Sequence, residues 1–296
     1  MLRLADRILL SKGLNWGFPL SYGSPWFKRL GVEAESLFKG LVSNTCKIII
    51  VDNIREFIGV EKVRYNLCQG NGTPPFKTCF IEWIEPDGTQ VGLYLEVLPA
   101  GVNIETIQKT YGNLKITSAI SCTTFYRYKN NICHAGRYTL VYLDAEGSIL
   151  GIDVVPVPGV ELVDYGTEGV MAAYTLAFMN CKNVIIQDDT QEYAQPAKWY
   201  RRTKVPQVTY HTINIQPRTI RRNPNPISTG IQQRLHICRG HFMHYKEDGP
   251  GMFGRGVYGR FWVPQHPRGS QELGTINARY NVSPPKINLT NPDSVV

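Results

Sequence analysis

Four of the six histidines of this 296-residue chain, His236, His241, His244 and His266, fall in one short stretch. With them stand Arg234, Arg239, Arg255, Arg260 and Arg268, and the aromatic residues Phe242, Tyr245, Tyr258, Phe261 and Trp262. Imidazole beside guanidinium is the material of metal-independent RNA cleavage. One histidine takes the proton of a 2′-hydroxyl, a second group protonates the leaving oxygen, and cations hold the charged phosphorus centre. His241 and His266 are the candidate acid–base pair, Arg239 and Arg268 the candidate cations. The same side chains also suit noncatalytic binding of nucleic acid or of protein, because Arg and Trp are favoured at interfaces of many kinds. Zinc is a weaker alternative, through His236, Cys238, His241 and His244. On a strand, alternation sets His241 opposite the other three. The reading calls for no cofactor.

Strands must position these groups. Arg234 to Tyr245 and Val257 to Val263 read as two strands joined through the Lys246–Gly256 loop. Arg239, His241 and Tyr245 share one parity, as do Arg260, Trp262, Pro264, His266 and Arg268. Paired as a hairpin, the two sets are expected on one phosphate-facing surface, with Trp262 as the wall of a small pocket. Gly254 to Gly259 spells Gly-x-Gly-x-x-Gly. A strand-like segment follows it rather than a helix, so it reads as a hairpin loop and not a dinucleotide fingerprint. Asp188, Asp189 and Glu192 read as a turn or first helical turn rather than a metal site.

Charge is segregated along the chain. Residues 1–192 carry 17 Lys/Arg against 20 Asp/Glu, a net −3; residues 193–296 carry 15 against 4, a net +11. Tyr193 to Lys246 contains ten basic residues and no acid. A local positive field of this kind is the footprint of an anionic partner. Arg201, Arg202, Lys204, Arg221, Arg222 and Arg260, with Tyr245 and Trp262, are the candidate binding residues.

The expected fold class is α+β. Residues 1–192 form a mixed region with two β-hairpins, about Pro86-Asp87-Gly88 and about Asp144 to Gly147, and a core helix over Gly169 to Asn180. An amphipathic helix is expected at the start of the chain. Residues 193–230, rich in Pro and Arg, read as an arm or linker holding one strand at Val208 to Ile215. Residues 231–282 read as β-rich, with a last strand at Ile276 to Val282, and 283–296 as a polar tail.

Seven scattered cysteines without a Cys-x-x-Cys pair argue for a reducing compartment, a bacterial cytoplasm or that of a phage host. No apolar run approaches the roughly 18–20 residues that span a bilayer, so no membrane partner is expected.

The block His236-x-x-Arg239-Gly240-His241-Phe242, then Gly259-x-Phe261-Trp262-x-x-x-His266-x-Arg268-Gly269, resembles one that recurs in uncharacterised phage and actinobacterial mobile-element proteins. Phe178 to Val184 is similar to a segment of the same group. The resemblance implies a phage or mobile-element setting and carries no activity. Two functions stay open. One is engagement of nucleic acid, with or without RNA cleavage. The other is noncatalytic inhibition of a host defence complex by a protein-binding, homo-oligomeric partner.

Overall fold

The protein's structure, a computed structural model, describes residues 2–11, 35–55, 70–98, 116–128, 131–156, 168–215, 234–238, 240–264, 266–268 and 270–275. The chain divides into two units, residues 1–219 with 241–263 and residues 220–240 with 264–296.

Local chemistry builds the larger unit. Helix α1 is Leu4–Leu10, residues 35–42 form helix α2, and Lys47–Ile50 is strand β1. Thr78–Ile84 (β2) and Gln90–Val97 (β3) pair antiparallel from Thr78↔Glu96 to Ile84↔Gln90. The turn between them depends on Gly88, whose φ of 83° is open to glycine without strain. Ser118–Tyr128 (β4), Asn131–Leu143 (β5) and Ile149–Pro156 (β6) continue the meander. Helix α3, Glu168–Met179, leads into Val184–Asp188 (β7), the short helix Thr190–Tyr193 (α4), Ala197–Thr203 (α5) and Tyr210–Ile215 (β8).

One eight-stranded sheet results, in the order β6-β5-β4-β3-β2-β1-β8-β7. β1 runs parallel to β2 and to β8, and all other neighbours are antiparallel. Both faces are covered. Ile49, Ile81, Trp83, Leu93 and Cys122 pack on α3, while Ile48, Ile50, Phe80, Tyr94 and Tyr210 pack with residues of α1, α2 and α5. That explains why β1 and β2 read as near-continuous apolar runs. Helix α3 is buried at every position except Val170, as an all-round apolar helix must be.

Two carboxyl groups, those of Glu82 and Asp6, are fully buried. Glu82, fully buried, accepts the backbone N–H groups of Leu4 and Ala5 at 2.8 and 3.0 Å and so ties α1 to β2. Burial pushes its carboxyl up to about 7, and that of fully buried Asp6 up to about 6.

Residues 241–263 belong to this unit as a hairpin, His241–Tyr245 (β10) with Gly259–Val263 (β11). In the smaller unit Arg234–Cys238 (β9) lies between His266–Arg268 (β12), antiparallel, and Ser270–Thr275 (β13), parallel.

Two expectations are corrected. Arg234 to Tyr245 is not one strand: β9 ends at Cys238, β10 begins at His241, and the two belong to different units. Nor are residues 193–215 an arm. They supply α5 and then β8, an interior strand whose Tyr210 and Ile213 are fully buried. Residues 216–230, Ile276 to Val282 and the tail lie outside the described residues. Among those described, no helix is long and apolar enough to cross a membrane.

Candidate functional site

The hairpin register decides what the histidines face. His241 pairs with Val263, Phe242 with Trp262, Met243 with Phe261, His244 with Arg260, and Tyr245 with Gly259. Directly opposed residues of an antiparallel pair share a face. Phe242, His244, Arg260 and Trp262 therefore lie on one side, and His241, Met243, Tyr245 and Phe261 on the other.

The first side turns its apolar end to the core. Phe242 and Trp262 meet each other and Phe178 of α3 at ring-centroid distances of 4.8 to 5.1 Å, in edge-on geometry. Trp262 is only 4% exposed. The expectation that it walls a pocket beside His241 is thus overturned, and a buried indole cannot stack on a base. Asn183, just after α3, donates its side-chain N–H to the Trp262 carbonyl at 2.9 Å and accepts the Trp262 N–H at 3.0 Å.

The polar end of the same side opens on a cleft of about 350 Å³. Its walls come from three places: Lys182 after α3, Glu146 in the β5–β6 turn, and His244, Tyr245, Lys246, Glu247, Tyr258 and Gly259 of the hairpin. Each is held. The Lys182 N–H donates to the Arg260 carbonyl at 2.9 Å. Its aliphatic chain crosses Gly259, where an added Cβ would stand 2.6 Å from Lys182 Cε. Gly259 also has φ of 121°, so any side chain there is doubly opposed. The β5–β6 turn is fixed by Asp144, whose carboxylate accepts the N–H groups of Glu146 and Ser148 at 2.9 and 2.7 Å. Arg260 also reaches this turn, donating to Ser148 Oγ at 2.8 Å.

Electrostatics sets the state of His244. Burial, then the positive charges of Arg260 and Lys246, hold its imidazole below the usual histidine range, with Glu146 opposing. The cleft thus offers a neutral ring nitrogen able to accept or donate, two ammonium groups, two carboxylates and the phenol of Tyr258.

The other sequence-derived residues sit elsewhere. Arg201, Arg202 and Lys204 are exposed at the end of α5, with Lys198 exposed one turn earlier. The helix is anchored by buried Tyr200, whose hydroxyl donates to Asp6 at 3.4 Å and accepts from the Gln195 N–H at 3.1 Å. None of the four cations pairs with a described carboxylate. His241 is half-buried in the larger unit, while His266 and Arg268 belong to the smaller one. Arg239, Arg221 and Arg222 lie outside the described residues. Of the four residues of the zinc alternative, His241 and His244 point to opposite faces of β10, and His236 and Cys238 belong to the smaller unit. Among the described residues no group of three or more His, Cys, Asp or Glu is placed to hold a metal.

Asp188 and Asp189 satisfy local partners. Asp188 accepts the Thr190 N–H at 2.9 Å at the start of α4, and Asp189 bonds Gln187 at 2.7 Å and the Thr212 hydroxyl. A second cleft of about 330 Å³ is lined by Asp52, Asn53, Gln187, Asp189 and Asn214. Within it Asn214 donates to Gln187 at 2.7 Å and Asn53 to the Ile213 carbonyl at 3.0 Å.

Lys182 and Glu146 were missed in the sequence because they join the hairpin only in space. One signal existed, since Phe178 to Val184 contains two residues that contact Trp262, Phe178 and Asn183. No protein-family model, curated protein or solved structure matches the chain.

Proposed function

We propose that the protein engages nucleic acid through the basic surface of its C-terminal third, in a phage or mobile-element setting. The observation that carries this is α5. Within Ala197–Thr203 and its cap, Lys198, Arg201, Arg202 and Lys204 are all exposed, and no acid accompanies them. A cluster of this kind neutralises phosphates and releases their counterions on binding. The resemblance of the His236–Phe242 and Gly259–Gly269 blocks to mobile-element proteins supports the setting.

The test is equilibrium binding to generic RNA and DNA as salt is raised from about 50 mM, where phosphate contacts are strongest. Affinity is expected to fall linearly on logarithmic axes. The triple variant Arg201→Ala, Arg202→Ala, Lys204→Ala is expected to bind more weakly, with a slope shallower by roughly 0.7–0.9 for each phosphate it no longer neutralises. Absence of binding to either polymer at low salt would overturn the reading and leave a host protein complex as the partner to seek.

A further inference from the structure

We infer that the cleft between Lys182, His244 and Tyr258 receives one unpaired nucleotide, so that the nucleic acid engaged is single-stranded. This rests on the nucleic-acid reading above and names the substrate class.

Shape is the first argument. A double helix is read by protein elements that protrude into its grooves, whereas this site is concave. At about 350 Å³ it falls at the lower end of the roughly 300–1,000 Å³ typical of small-molecule sites. An unstacked base with its phosphate suits such a cleft, and a duplex backbone does not.

Chemistry is the second. Tyr258 gives aromatic surface, which holds bases of single strands by stacking. Lys182 and Lys246 supply positive charge for a phosphate. Glu146 and Glu247 would repel a continuous run of phosphates, yet a carboxylate accepts the exocyclic amino group of a base such as cytosine. His244 adds a polar, largely uncharged ring. A site for phosphate alone has no use for two carboxylates and a phenol.

Rigidity is the third. Lys182 is held by its backbone bond to Arg260 and by the space that Gly259 leaves, and Glu146 by the turn that Asp144 closes. Binding therefore requires little ordering of the lining.

The experiment is fluorescence anisotropy with a labelled oligo-cytidine of about a dozen nucleotides, the length that a few stacked bases and a phosphate track require, and with a duplex of equal length. Oligo-cytidine is expected to bind roughly ten-fold more tightly than the duplex, the value of one stacked base. Tyr258→Ala should remove most of that preference. Lys182 is exposed, so Lys182→Met, which removes the charge and keeps a chain reaching as far as Cε over Gly259, tests the same site without threatening the fold. Equal affinity for strand and duplex, or full affinity for oligo-cytidine in both variants, overturns the inference while leaving nucleic-acid binding intact. Failure of wild type to bind either ligand overturns both.

Discussion

Asn183 bonds both backbone groups of Trp262, the N–H at 3.0 Å and the carbonyl at 2.9 Å, as a neighbouring strand would. A single buried side chain thereby closes the ladder of β11 where its indole enters the core.

Asn183→Ala is expected to leave that N–H and carbonyl buried without partners. Each orphaned group costs about 1–3 kcal/mol, so urea unfolding should show a loss of at least about 2 kcal/mol. A loss below about 0.5 kcal/mol, the range of neutral surface changes, would show that water replaces the amide.

Gly259→Ala should be worse than Gly88→Ala, although both glycines have positive φ, 121° and 83°. At Gly88 an added Cβ meets nothing within 4 Å, so backbone strain of about 1 kcal/mol is the whole effect. At Gly259 the Cβ also displaces Lys182, so affinity for nucleic acid should fall as well as stability. Matching melting and binding profiles for the two variants would show that Lys182 is not seated on Gly259.

Glu82 makes stability depend on pH. Its carboxyl is raised from 4.5 to about 7 by burial, so the folded chain holds this proton more tightly than the unfolded one. The group's contribution is fully present at acid pH and is lost as pH rises through about 7. Its span is on the order of 3 kcal/mol, at about 1.4 kcal/mol per pH unit. Glu82→Gln should therefore gain on wild type between about pH 5 and pH 8, compared by denaturant midpoints. A constant difference between the two proteins across that range would refute the assignment.

Cys46, Cys79, Cys122 and Cys181 are free thiols and buried. Burial pushes Cys46 and Cys181 up to about 12 and raises Cys79 well above its ordinary value. None should react with a disulfide reagent in the native protein at mildly alkaline pH, because the thiolate is the nucleophile. All seven cysteines should titrate in denaturant without reductant. A count below five would contradict a reducing compartment.

What the sequence revealed was local. The strands beside Pro86-Asp87-Gly88 and Asp144 to Gly147 could be read because turn chemistry and alternation act over a few residues. Helix α3 could be read because few other elements hold so long an apolar run. The hairpin face could not. The parity of β10 and of β11 is plain in each strand, but which parities coincide depends on register, and a slip of one residue exchanges faces. Here the loop from Lys246 to Tyr258 places His241 opposite Val263, and with that the expected Arg–His–Trp surface is lost. The basic character of 198–204 was visible, but not that Tyr200 pins that segment down as a helix. Lys182 and Glu146 are far from the hairpin in sequence, and no local pattern announces them.

The parallel partners of β1 shape how the chain must be made. Ile48 sits beside Phe80 on one edge and beside Tyr210 on the other, a partner more than half the chain away. Until that later strand leaves the ribosome, Ile48–Ile50 is an apolar edge with unpaired backbone groups, the kind of surface through which nascent chains associate. The cost of closing so long a loop also falls before the contact rewards it, which slows folding. Completion of the sheet is thus a late event of synthesis, and the interval before it is when the chain depends most on chaperones.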